Sequence, residues 1–191
     1  MNEQPSPPGR LRLRATYQDV IDAPPHMVAE IAHGALHLHP RPASRHARAA
    51  TMLGVEIGGA FDRGRDGPGG WWIIAEPELH LGDDVLVPDL AGWRRSSMPV
   101  FPDAPWFDLA PDWVCEVVSP STRRFDLGSK RALYAEHGVA HLWLVDPLAR
   151  TLEAFTLFPL RILTDTLAGT GPVRLAPFEA IEFPLEALWP D

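Results

Sequence analysis

The chain has 191 residues, 46% of them hydrophobic and 22% charged, with a formal net charge of -8. This length and composition predict one domain able to bury a full core without staples, and the single cysteine excludes an intrachain disulfide or a multi-thiolate zinc site. The acidic balance argues against a nonspecific polyanion binder, no apolar run reaches membrane-spanning length, and the N-terminus lacks the basic-then-apolar order of a secretory signal; the expectation is a soluble cytoplasmic protein with no membrane contact.

Residues 1–9, rich in proline, are expected to form a disordered lead-in to one domain over 10–191. Thr16 ahead of Tyr17-Gln18-Asp19 predicts a short capped helix. Segments 28–32 and 35–39 alternate apolar and polar residues around His33-Gly34, the pattern of a two-residue hairpin. From Ser44, read as an N-cap, apolar residues recur at helical spacing to about Phe61. Trp71-Trp72-Ile73-Ile74 opens a strand that 79–81 continues, and 85–87 leads into Pro88-Asp89. A proline-studded loop over 96–111 precedes a strand at 113–118. A helix over 126–136, N-capped by Asp126, stops at His137-Gly138, where glycine suits the left-handed C-terminal position. Strands at 141–145 and 152–157 follow, and 173–183 adds one or two short ones. A mixed β-sheet flanked by helices results, an α/β class at the α+β boundary.

The chemistry concentrates in the acidic middle. Residues 61–119 carry four Lys or Arg against eleven Asp or Glu, and Arg123, Arg124, Lys130 and Arg131 follow directly. On the strand 113–118, alternation sends Val114, Glu116 and Val118 to one face and Trp113, Cys115 and Val117 to the other. A carboxylate on a valine-rich strand needs a cation, a proton or a partner, because desolvating its charge is expensive. If Asp89 ends a neighbouring strand, Asp89, Glu116 and the Val117 carbonyl form an oxygen-rich pocket suited to Mg2+, with Mn2+ as a substitute. A water made more acidic by such an ion attacks a phosphodiester. His37 and His39 share a strand face but lack a third metal ligand, and Trp71, Trp72 and Trp143 read as core or interface residues.

Pro88-Asp89, Glu116-Val117-Val118-Ser119-Pro120-Ser121-Thr122, the run Asp126, Lys130 and Tyr134 at intervals of four, Gly138-Val139 and Trp143-Leu144-Val145-Asp146-Pro147 resemble, in order, the Uma-type restriction endonuclease family of the PD-(D/E)XK nuclease superfamily. The resemblance runs from about Tyr17 to Trp189. It implies a restriction-endonuclease-like core and Mg2+-dependent endonuclease hydrolysis of phosphodiester bonds in DNA. It further implies that Asp89 and Glu116 are the metal carboxylates and that Lys130 replaces the in-strand lysine, whose usual place is occupied by Val118. Glu30 is a fourth catalytic candidate; His46, Arg123 and Arg124 are candidate substrate contacts. A homodimer would pair two sites on two strands. The alternative is a catalytically inactive nuclease-fold protein that binds a nucleic acid or a protein, with Glu116 and Lys130 as a structural ion pair and Glu30 exposed on the hairpin.

Overall fold

The computed structural model describes residues 14–119, 123–157, 162–169 and 171–189; the expected lead-in at 1–9 lies outside them. Helix α1 is Tyr17–Ile21, and the Thr16 N–H and hydroxyl both donate to Asp19 at 2.8 Å, which closes its first turn. Strands β1 (Met27–Ala32) and β2 (Ala35–Pro40) form the expected hairpin. His33 and Gly34 both take left-handed backbone angles, φ 50° and 77°, as the two-residue turn requires.

Helix α2 is Ser44–Ile57 and runs on into a π-helical turn at Gly58–Asp62. Ala43, not Ser44, is its N-cap: the Ala43 carbonyl already accepts the Ala47 N–H at 3.0 Å, so Ser44 is the first helical residue. Strands β3 (Trp71–Ala75) and β4 (Leu79–Leu81) are not one continued strand. Glu76 turns the chain at φ 47° and Pro77 cannot donate to a ladder, so β4 leaves for a second sheet. Next come β5 (Asp84–Leu86), β6 (Leu90–Arg94) and β7 (Trp113–Val117).

The following helix begins earlier than its sequence suggests. The Arg123 N–H donates to the Ser119 carbonyl at 2.9 Å, and the chain passes through α3 (Arg123–Phe125), a π-helical turn (Asp126–Lys130) and α4 (Arg131–Glu136). Asp126 is therefore a buried interior residue, not an N-cap. Gly138, at φ 81°, stops the helix as expected. Strands β8 (His141–Asp146) and β9 (Thr151–Thr156) match expectation, β10 (Ile162–Ala168) was not anticipated, and β11 (Pro172–Val173) and β12 (Phe183–Pro184) are the short strands near the end.

Two main sheets result. The larger has the order β10-β9-β8-β7-β6-β3, with β7 and β8 parallel and its other pairs antiparallel; the smaller has the order β2-β1-β5-β4. One face of the larger sheet packs Cys115, Val117 and Trp143 against Ala49, Leu53 and Ile57 of α2. Phe178 sits among Phe61, Trp71, Trp113 and Trp143 with ring centroids 4.6, 4.9, 4.9 and 5.6 Å away. The opposite face packs Val114, Leu142 and Leu144 with Leu133 and Tyr134 of α4 and with Leu79, Leu81 and Leu86 of the smaller sheet. Alternation on β7 thus turns Glu116 towards α4 and leaves Cys115 in the other core layer.

Gly92 in β6 shows how closely the layers meet. A Cβ there would lie 3.0 Å from Ile73, 3.2 Å from Trp113 and 3.3 Å from Trp71. Overpacking of this kind costs about 1–3 kcal/mol. Gly92→Ala should therefore lower stability by about that amount in urea unfolding; an unchanged midpoint would contradict this packing.

Candidate active site

Asp89 does not end a strand; it stands immediately before β6. Because β6 and β7 pair antiparallel, with Leu90 opposite Cys115, Asp89 still lies beside the C-terminal end of β7. There its Oδ2 accepts the Val117 N–H at 2.7 Å. The neighbouring Glu116 is only 3% exposed. Its Oε1 accepts from Lys130 Nζ at 2.7 Å and from the Tyr134 hydroxyl at 2.5 Å. Lys130 and Tyr134 are four residues apart and share one helix face, which is why both reach the same oxygen.

Lys130 is 2% exposed and also donates to Glu30 Oε1 at 2.8 Å. Glu30, at 3% exposure, is buried and is not an exposed hairpin residue. The same Glu30 oxygen accepts the Val87 N–H at 2.8 Å, and the Val87 carbonyl lies 3.4 Å from Lys130 Nζ. A single ammonium thus ties β1 of the smaller sheet to β7 of the larger one. His46, near the start of α2, approaches from the far side: its Nε2 is 3.3 Å from Asp89 Oδ2.

These groups meet at a cavity of about 600 Å³ lined by Glu30, Asp89, Glu116, Asp126, Lys130 and His46 among others. The geometry brings together Glu30, Asp89, Glu116, Val117, Lys130 and His46. It does not bring Arg123, which is paired with Asp146 away from the cavity lining. The Arg124 side chain lies outside the described residues. His37 and His39 pack on Phe125 with ring centroids 4.2 and 5.1 Å away. Two residues of the cluster, Tyr134 and Asp126, had no assigned role in the site from sequence; their intervals of four from Lys130 are the signal that places them there.

Electrostatics follow from crowding three carboxylates, Glu116, Glu30 and Asp126, around one lysine, with Asp89 acting on Glu116 beside them. Burial alone would discharge Lys130, but the charges of Glu116, Glu30 and Asp126 outweigh it and hold the ammonium protonated. Glu116 is pushed well above the usual carboxylate range, first by burial and then by Asp126, Asp89 and Glu30, against the pull of Lys130. Tyr134 is likewise raised, by burial and then by Glu116, and remains a donor. His46 is raised because Asp89, Asp126 and a backbone bond to Val117 outweigh the opposing effect of burial.

The cluster has more anionic than cationic groups, and that is the property a hard cation would complement. Among the described residues no three His, Cys, Asp or Glu side chains form a dedicated metal cage. Mg2+ does not need one: it is commonly held by one or two carboxylates and keeps several waters. Asp89, Glu116 and the Val117 carbonyl, opening on a cavity roomy enough for water, fit that requirement.

Removing the Tyr134 hydroxyl should leave a Glu116 oxygen short of a donor. Tyr134→Phe is expected to cost about 1–3 kcal/mol, and Lys130→Met, which strands two buried carboxylates, about 3–5 kcal/mol. Urea unfolding of the metal-free protein measures both; Lys130→Met as stable as the parent would contradict the ion-pair geometry.

Comparison with known proteins places the chain in a family. The sequence profile described as "Uma2: Putative restriction endonuclease" matches residues 14–184. A crystal structure from Anabaena variabilis ATCC 29413, described as "a putative nuclease belonging to DUF820", superposes with a TM-score of 0.73 at 20% identity, covering 91% of this chain and 97% of that one. No curated protein matches the chain. Among the described residues, no helix is long and apolar enough to cross a membrane. The superposition gives the fold as restriction-endonuclease-like, mixed α/β, and the profile match over nearly the whole length makes the chain a member of the Uma2 family.

Proposed function

We propose that the protein is a divalent-cation-dependent endonuclease that hydrolyses phosphodiester bonds in DNA. The observation that carries this reading is the position of Lys130: it reaches Glu116 at 2.7 Å from a helix, whereas Val118 occupies the nearby strand position. Asp89, Glu116 and the Val117 carbonyl would hold Mg2+ or Mn2+, which supplies charge neutralisation at the phosphate and lowers the pKa of water. Lys130, kept charged by its carboxylates, fixes Glu116 and presents positive potential to the reacting phosphate; it orients the attacking water and does not deprotonate it. Glu30 holds the ammonium from the opposite sheet, and Tyr134 fixes the Glu116 side chain. His46 and the Val117 N–H hold the Asp89 carboxylate.

A second reading has its own support. Lys130 is almost wholly buried and fully engaged by two carboxylates and a carbonyl. Such a lysine also suits a noncatalytic nuclease-fold protein that binds nucleic acid or another protein. Cleavage separates the two. With Mg2+ or Mn2+, the wild type should cut plasmid or oligonucleotide DNA, and Asp89→Ala, Glu116→Gln and Lys130→Met should each slow cutting about 10²-fold or more. Cation binding without any cutting would favour the binding module.

Cation binding has a proton signature as well. Burial and neighbouring carboxylates raise the Glu116 pKa, so the metal-free protein keeps a proton there well above the pH at which a free glutamate loses it. A cation needs the ionised carboxylate, so binding should release protons, and affinity should rise with pH through that range. Calorimetry in buffers of different ionisation enthalpy measures the release; binding with no proton exchange would contradict the Glu116 assignment.

A further inference from the structure

Charge on this acidic chain is not spread evenly. Between His33 and Val55 there is no Asp or Glu, and the stretch carries Arg41, Arg45 and Arg48, although the whole chain stands at -8. All three arginines are exposed. Among the described residues the arginines that form ion pairs are Arg14, Arg95, Arg123 and Arg174, so no carboxylate there neutralises Arg41, Arg45 or Arg48.

Their place in the fold gives this charge a use. Arg41 follows β2 and lines the 600 Å³ cavity, where its guanidinium donates to the Pro25 carbonyl at 3.3 Å. That bond occupies one of five N–H donors, so the pinned group still offers most of its fork to an anion. Arg45 and Arg48 are three residues apart in α2 and neighbour one another on its exposed side, with Cβ atoms about 5–6 Å apart. Between them in sequence, His46 turns inward and puts Nε2 3.3 Å from Asp89 Oδ2. Elsewhere the cavity lining is acidic: Glu76 and Glu78, from the turn between β3 and β4, line it as well. A phosphate backbone distinguishes these borders, because each phosphate bound at an arginine releases counterions, whereas each one brought to a glutamate is repelled. The excess negative charge discourages contact over much of the remaining surface. The arginine border is therefore where a polyanion gains most, and a strand held there reaches Asp89 from the side of α2. Arg63 and Arg65 are also exposed, but they follow the other end of the 14-residue helix, about 20 Å away, and line neither cavity.

Resting on the nuclease reading, we propose that Arg41, Arg45 and Arg48 form a phosphate-binding rim that seats the DNA backbone beside the scissile bond. Arg41, fixed at Pro25, holds a phosphate at the cavity, and Arg45 and Arg48 hold its neighbours along α2. Contacts of this kind carry no base information, so the rim positions the substrate without selecting a sequence.

The test measures binding of a fluorescein-labelled DNA duplex to the full chain by anisotropy, with Ca2+, which takes oxygen ligands, and between about 50 and 200 mM NaCl. Arg41→Gln, Arg45→Gln and Arg48→Gln, made singly and together, are compared with a control that combines Arg63→Gln and Arg65→Gln. Each rim substitution should lower the slope of log affinity against log salt by about 0.9, and the triple variant by about 2–3 with affinity down about tenfold or more; the control should keep the wild-type slope. A triple variant with the wild-type slope, a control that falls as far, or a wild type that does not bind the duplex would overturn the rim. Exchanging Ca2+ for Mn2+ tests the nuclease reading separately: rim-dependent binding without any cutting would overturn that reading and leave the rim as a nucleic-acid-binding surface.

Discussion

A buried ammonium shared between two carboxylates from different sheets is the interaction on which the rest of the site depends. Lys130 meets Glu116 of the larger sheet at 2.7 Å and Glu30 of the smaller sheet at 2.8 Å. Taking three charges out of water is expensive, and close packing of hydrophobic residues would often be as stable. The arrangement persists because each charge has further partners: the Tyr134 hydroxyl on Glu116, and the Val87 N–H on Glu30. The cluster therefore fixes how the hairpin, β7 and the helix meet, and it fixes the direction in which Glu116 faces the cavity.

The same cluster is unbalanced, and its imbalance gives it chemistry. A purely structural ion pair needs matched charges, but here Asp126 joins the two glutamates around one lysine, and Asp89 adds its charge beside Glu116. The consequence is a Glu116 pKa raised by burial and by the neighbouring carboxylates, and a His46 pKa that Asp89 and Asp126 raise against the opposing effect of burial. Protons can relieve the crowding, and so can a hard cation with oxygen ligands. On the proposed reading, uptake of a cation in exchange for a proton would serve phosphodiester hydrolysis, where negative charge develops and must be stabilised in place.

Much of this was legible from local pattern. Alternation on β7 put Glu116 and Cys115 on opposite faces, and His33-Gly34 marked the hairpin that carries Glu30. What local pattern could not supply was pairing between distant segments. Strand β6 is not evident in the sequence because Gly92 breaks its apolar run, and glycine is there for contact with Ile73 and two tryptophans on neighbouring strands. The split between β3 and β4 depends on the turn at Glu76-Pro77, which reads equally well as an interruption within one strand. In sequence Asp126 reads as a helix start because aspartate favours that position; the helix begins at Arg123, and this shift puts Asp126, Lys130 and Tyr134 together on the buried side. That His46 would meet Asp89 depends on how α2 packs across the sheet, which the spacing of its apolar residues does not specify.

The account stands most directly on where a cation sits. Crystals grown with Mn2+, with diffraction data collected at the manganese absorption edge, would locate it from its anomalous signal alone. The predicted result is one peak in contact with carboxylate oxygens of both Asp89 and Glu116, with the Lys130 amine still bound to Glu116. A peak that touches neither carboxylate, or no peak in the cavity at saturating Mn2+, would contradict the account.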